Sequence, residues 1–169
     1  MYKDDKKKLR TGTTLYGELY DPRWQTHIQK PLTLEELNEF ENEYGGLPNQ
    51  YKELLRLTNG CYLFDLIRVA GKQNSFRGMS IAERVFQPCS LKDLQVYVRN
   101  KKTSENLFIF ADSLVRDSFF AFNEAGYIVE KNSRNLKTIN SYATLEEILD
   151  EIFVAGKEMV EKNEYIEFE

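Results

Sequence analysis

Residues 32–60, LTLEELNEFENEYGGLPNQYKELLRLTNG, constrain this chain more than any other stretch. They describe two short helices, a glycine stop between them and an Asn-Gly stop after the second. Thr33 and Glu36 have the spacing of a capping box, in which each side chain accepts from the other's backbone amide. Leu32 and Leu37 occupy the two positions of a hydrophobic staple. Leu34, Leu37, Phe40 and Tyr44 recur at helical spacing on one face, while Glu35, Glu39 and Glu43 fall elsewhere. Gly45 and Gly46 stop this helix, because glycine enters the left-handed region at little cost. Pro48 suits the first turn of the next, where its missing N–H would be unpaired anyway. Tyr51, Leu54, Leu55 and Leu57 make the second helix apolar on one side, and Asn59 with Gly60 closes it. The segment is a folding unit and holds no chemistry of its own.

Beyond Gly60 the pattern changes to short extended runs. Residues 62–64 and 66–69 read as strands, and 71–80 (GKQNSFRGMS) as a polar loop flanked by glycine. Ser90 and Asp93 form a weaker cap for a short helix carrying Leu91, Leu94 and Val98, ended by residues 100–102 (NKK). A strand at 107–110, a turn around 112–117, and a hairpin pairing 118–122 with 127–130 across Asn123 to Gly126 follow. Residues 131–135 (KNSRN) read as a turn and 136–139 as a further short strand. Thr144 and Glu147 form a second capping box. After it Leu145, Ile148, Leu149, Ile152, Phe153, Met159 and Val160 hold one face over four turns. Gly156 lies on that face, where it permits close approach to a sheet. Few strands are joined by crossover helices, so the expected class is α+β: helices packed on a largely antiparallel β-meander. Residues 1–31 are expected to be an N-terminal arm with a basic start at 6–8 (KKK) and Trp24 as its anchor on the domain. Residues 32–169 are expected to be a single domain ending in a long C-terminal helix.

Helical hairpins in general show such signals singly; their order here is more specific. An acidic helix precedes Leu47, Pro48, Tyr51, Leu54 and Leu55, and then Asn59 and Gly60 lead into an apolar run. This order resembles the SUKH superfamily, which includes yeast-type regulators of cell-wall assembly and many bacterial immunity proteins. LFIFAD (107–112), SFFAFNEAGYIVE (118–130) and the helix from Thr144 look like that family's β-meander and closing helix. The resemblance spans roughly residues 32–155. It implies a binding domain rather than an enzyme: a small cytosolic protein that docks on a cognate toxin, often a nuclease, and occludes it without turnover. It departs from the family at Cys61 and Tyr62, where relatives often continue with another glycine.

The residues themselves point to no active site. The lone histidine, His27, has no partner at ligand spacing. Cys61 and Cys89 lack disulfide-framework or metal spacing and are expected to be buried free thiols. No phosphate-binding or dinucleotide motif is present. No cofactor is expected. Asp112, Asp117, Glu124 and Glu130 in the meander leave a metal-dependent hydrolase as a remote alternative, set against their use in turns. A regulatory adaptor of the cell-wall-assembly type is the nearer alternative.

Charge narrows the partner. The chain carries a net −4, but residues 144–169 alone hold nine acidic and two basic side chains. An acidic end on a near-neutral body argues against nucleic acid and for a basic protein surface. Glu35, Glu39, Glu43, Glu158, Glu161 and Glu164 are the expected contacts. With no apolar run long enough to span a bilayer and no signal-peptide pattern, a cytoplasmic location is expected. Ten Tyr and eleven Phe leave homodimerisation open.

Overall fold

The computed structural model describes residues 27–81, 84, 87–99 and 105–162. Within them seven antiparallel strands lie side by side in chain order. The elements are β1 (His27–Ile28), α1 (Leu34–Tyr44), α2 (Asn49–Leu55), β2 (Cys61–Leu63), β3 (Ile67–Val69), α3 (Leu91–Arg99), β4 (Phe108–Ser113), β5 (Ser118–Phe122), β6 (Ile128–Asn132), β7 (Thr138–Tyr142) and α4 (Leu145–Glu161). This is the α+β meander that the periodicities imply. Residues 1–26, with the basic start and Trp24, lie outside the described residues, as do 100–102.

The local signals act as their chemistry requires. The Thr33 amide donates to Glu36 Oε2 at 2.8 Å and the Glu36 amide to Thr33 Oγ1 at 3.2 Å. Donation from the Thr33 amide, and then from its hydroxyl, holds the Glu36 carboxyl below its ordinary pKa. Gly45 caps α1 with φ 68°. Leu37 and Phe40 are buried, but Leu34 is 68% exposed. At 3.6 residues per turn Leu34 lies about 120° around the helix from Phe40, so it misses the stripe that meets the core. Pro48 sits one position earlier than expected, as the N-cap of α2. On α4 the second box is displaced. Thr144 Oγ1 accepts from Glu147, but the Glu147 carboxylate reaches the Ala143 amide rather than that of Thr144. The Leu145 amide donates instead to Gln50 Oε1 of α2 at 2.8 Å.

The core follows from both sheet faces being covered: every residue of β5 is buried. Tyr51 of α2 lies over Phe108 and Phe110, with ring centroids 5.8 and 5.7 Å away. A bulge between Ile109 and Ala111 sets Phe110 against Phe122 at 4.8 Å. Beside β4 runs α3, whose Gln95 Nε2 donates to the Ile109 carbonyl. β2 and β3 differ from the sequence reading by one residue, and three strands differ by more. β4 continues through Asp112 to Ser113, β6 continues to Asn132, and β7 begins two residues late, at Thr138. Asp112 reads as turn because its partner, Arg68, lies on β3; Ser113 and Asn132 do accept turn amides, from Arg116 and from Arg134 and Asn135, while their own backbone stays in the sheet.

The β2–β3 turn is unusual. Phe64 and Asp65 both have positive φ (54° and 58°), and the Leu66 amide closes the turn on Leu63 at 2.9 Å. A left-handed aromatic residue costs about 1–2 kcal/mol. The cost is offset by burial: Phe64 is fully enclosed, edge-on to Phe153 of α4 at 5.9 Å. A Cβ on Gly156 would run into the Phe64 ring. Gly156→Ala therefore sets a helix-propensity gain of about 1 kcal/mol against overpacking that costs about 1–3 kcal/mol. Phe64 is pinned by its turn and cannot yield, so a net loss of stability is expected in urea denaturation. A stabilised variant would show that the ring moves aside freely.

Candidate functional site

Three residues of the opening motif, Tyr51, Asn59 and Gly60, meet the chain at the end of β3. Leu47, Leu54 and Leu55 are buried against the sheet. From the same helix face the fully buried Tyr51 hydroxyl donates to the Ala70 carbonyl at 2.7 Å. Burial pushes that phenol well above its ordinary pKa. Asn59 then pairs with the backbone of Lys72 in both senses. Its Oδ1 accepts from the Lys72 amide at 2.7 Å and its Nδ2 donates to the carbonyl at 2.8 Å. Gly60 has φ 80°, and a Cβ there would meet the Val69 carbonyl at 2.7 Å. A Cβ on Gly71 would lie 2.5 Å from the Asn59 carbonyl oxygen. The motif is thus a clasp between the end of α2 and the start of the loop over residues 72–90.

A cleft of about 530 Å³ opens between the start of α3 and the sheet, lined in part by Arg68, Cys89, Asp93, Asp112 and Leu114. Its floor is an ion pair. Arg68 Nε and a terminal nitrogen donate to the two Asp112 oxygens at 2.8 and 2.5 Å, and the pairing raises the guanidinium pKa. Cys89 on its wall is pushed up to about 11 and Cys61, deep in the core, to about 12, in both cases by burial. Both are held as thiols at neutral pH and are poor nucleophiles.

The four meander carboxylates are spread out and engaged. Asp112 holds Arg68, and Asp117 pairs with Arg134. Glu124 accepts from Asn106 Nδ2 at 3.2 Å. Glu130 is fully buried. It accepts from Ser118 Oγ at 2.7 Å, Asn140 Nδ2 at 3.0 Å and the Tyr142 hydroxyl at 3.4 Å, with Arg116 at 3.7 Å. Arg116 continues to Glu151 of α4 at 2.7 Å, and the Tyr142 hydroxyl also reaches Glu151. Burial, then the two carboxylates, raise the Tyr142 phenol to about 12. No group of three or more His, Cys, Asp or Glu among the described residues could hold a metal ion.

The six surface glutamates fall into two separate sets. Glu35, Glu39 and Glu43 lie exposed on α1, where Glu39 takes Lys72 at 2.8 Å. Glu158 and Glu161 lie exposed on α4, with Glu158 3.9 Å from Lys162; Glu164 lies outside the described residues. The fold adds Glu147, Asp150 and Glu151 to the exposed side of α4, around Val154, which is 60% exposed. Sequence reasoning passed over Arg116 and the exposed Phe76 and Ile81. A lone apolar residue in a polar loop was the only trace of either ring or aliphatic side chain.

Helices on an antiparallel meander, with the sequence motif spent on a clasp, define the class as an α+β fold. The family model that matches residues 31–151 is the SMI1 / KNR4 family (SUKH-1). The chain belongs to this family. No curated protein and no solved structure matches it. No helix among the described residues is long and apolar enough to cross a membrane.

Proposed function

We propose that this chain is a non-catalytic protein-binding domain of the immunity type, which neutralises a cognate toxin in the cell that makes it. Family membership supports a binding role. The observation that carries the finer reading is the solvent face of α4, where Glu147, Asp150, Glu151, Glu158 and Glu161 outnumber Lys157 and Lys162 around the exposed Val154. An apolar centre with an acidic rim suits a basic groove of the kind a nuclease uses to hold phosphates. Inhibition would come from steric and electrostatic occlusion. Glu158, Glu161 and Glu164 are the leading contacts, with Glu35, Glu39 and Glu43 on α1 as a second set.

Replacing Glu158, Glu161 and Glu164 together by Lys is expected to slow association with the toxin domain about tenfold or more and to flatten its salt dependence. Surface plasmon resonance at two ionic strengths reads both, and unchanged kinetics would remove this helix from the interface. The immunity role itself is tested by a pull-down from the native host against a toxin domain encoded nearby. A stoichiometric complex with loss of toxin activity supports it. Recovery of cell-wall or signalling proteins alone favours the regulatory-adaptor reading instead.

A further inference from the structure

The loop over residues 72–90 opposes the rest of the chain in charge. It carries three basic side chains and one acidic within a protein of net −4. Its base is closed on both sides. Asn59 grips Lys72, the Gly71 amide donates to the Cys89 carbonyl at 2.9 Å, and Gln73 Nε2 reaches the Pro88 carbonyl at 3.3 Å. Its tip is braced from within. Residues 76–79 form a turn, with the Met79 amide on the Phe76 carbonyl at 3.1 Å. Arg84 Nε donates to the Met79 carbonyl at 3.2 Å, and the Arg84 guanidinium stands 6.0 Å over the Phe76 ring. Yet this braced tip shows Phe76 41% and Ile81 81% exposed, beside the exposed Arg77. Exposed apolar side chains on a held loop have already lost much of the freedom that binding would otherwise cost. That arrangement is the mark of a docking element.

Resting on the immunity reading, we infer that this loop is a second contact with the same toxin, seating Phe76 and Ile81 in an apolar pocket with an acidic rim. The sign of the loop selects the rim. Polyanions are the poorer fit: with Lys72 paired to Glu39, the loop is left with Arg77 and Arg84 against Glu83, a net +1, on a body whose α1 and α4 surfaces are acidic and would repel a nucleic acid or an anionic bilayer. The family motif gains a purpose in this account: Tyr51, Asn59 and Gly60 hold the platform from which the loop projects.

The test uses the full chain and the purified toxin domain of the preceding experiment. Phe76→Ser with Ile81→Ser is expected to weaken affinity at least thirtyfold, with Ile81→Ser alone giving part of that loss; circular dichroism checks that the fold is unchanged. Arg77→Glu is expected to slow association at least threefold. Full binding and inhibition by the loop variants would overturn the inference and leave the immunity reading standing. Faster association of Arg77→Glu would also overturn it, since the rim would then be basic. If the wild type neither binds nor inhibits the toxin, both readings fall. Phosphatidylserine vesicles, a single-stranded RNA oligonucleotide and sedimentation of the protein alone serve as parallel probes. Loop-dependent binding to any of these at physiological salt would replace the toxin with a membrane, a nucleic acid or a second copy.

Discussion

Glu130→Ala is expected to lower stability by about 3–5 kcal/mol, read as a shift of the urea midpoint at constant slope. The carboxylate is fully buried and gathers Ser118, Asn140, Tyr142 and Arg116 from two strands and a turn. Removing it leaves those donors without their shared acceptor and loosens Arg116, which also holds Glu151 on α4. Breaking a buried charge pair costs more than the pair contributes, because the remaining partner keeps its desolvation penalty. Glu130→Gln keeps an acceptor for Ser118 and is expected to cost clearly less. Equal losses in the two variants would show that volume, not charge and hydrogen bonding, holds this end of the sheet.

Gly71→Ala is the second large effect, at about 2–3 kcal/mol. The added Cβ would meet the Asn59 backbone carbonyl and its side-chain oxygen, both at 2.5 Å. Backbone cannot move aside as a side-chain end can. Relief requires α2 and β3 to separate, which breaks the paired hydrogen bonds between Asn59 and Lys72. Hydrogen exchange at the Lys72 amide should then speed up ahead of global unfolding. A Gly71→Ala protein with wild-type stability and protection would mean that the clasp is not rigid.

Much of the architecture was legible beforehand. The Thr33 cap, the glycine stop at Gly45, the Asn123 to Gly126 hairpin and the apolar stripe of α4 from Leu145 to Phe153 all appear where their spacing puts them; the side chain of Val160 lies outside the described residues. Leu34 sits at the angular edge of its stripe, and the spacing alone does not say how wide a face of the helix meets the core. Asp112 was read as a turn residue because its reason for being in a strand is Arg68, forty-four positions earlier. The surface glutamates were legible as a charge pattern. The division between α1 and α4, and the addition of Glu147, Asp150 and Glu151 to the second set, were not.

Caps, stops and hairpin turns depend on atoms no more than about four or five residues apart, so the order of residues alone determines them. The burial of Glu130, the Arg116 link to Glu151 and the Gln50 contact that starts α4 join residues far apart in the chain. So do the clasp of Asn59 on the loop and the close fit of Phe64 under Gly156. Their energies come from removing water around groups that meet only once the sheet has formed. Only the tertiary structure decides which polar residues of this chain are buried supports and which are left on the surface.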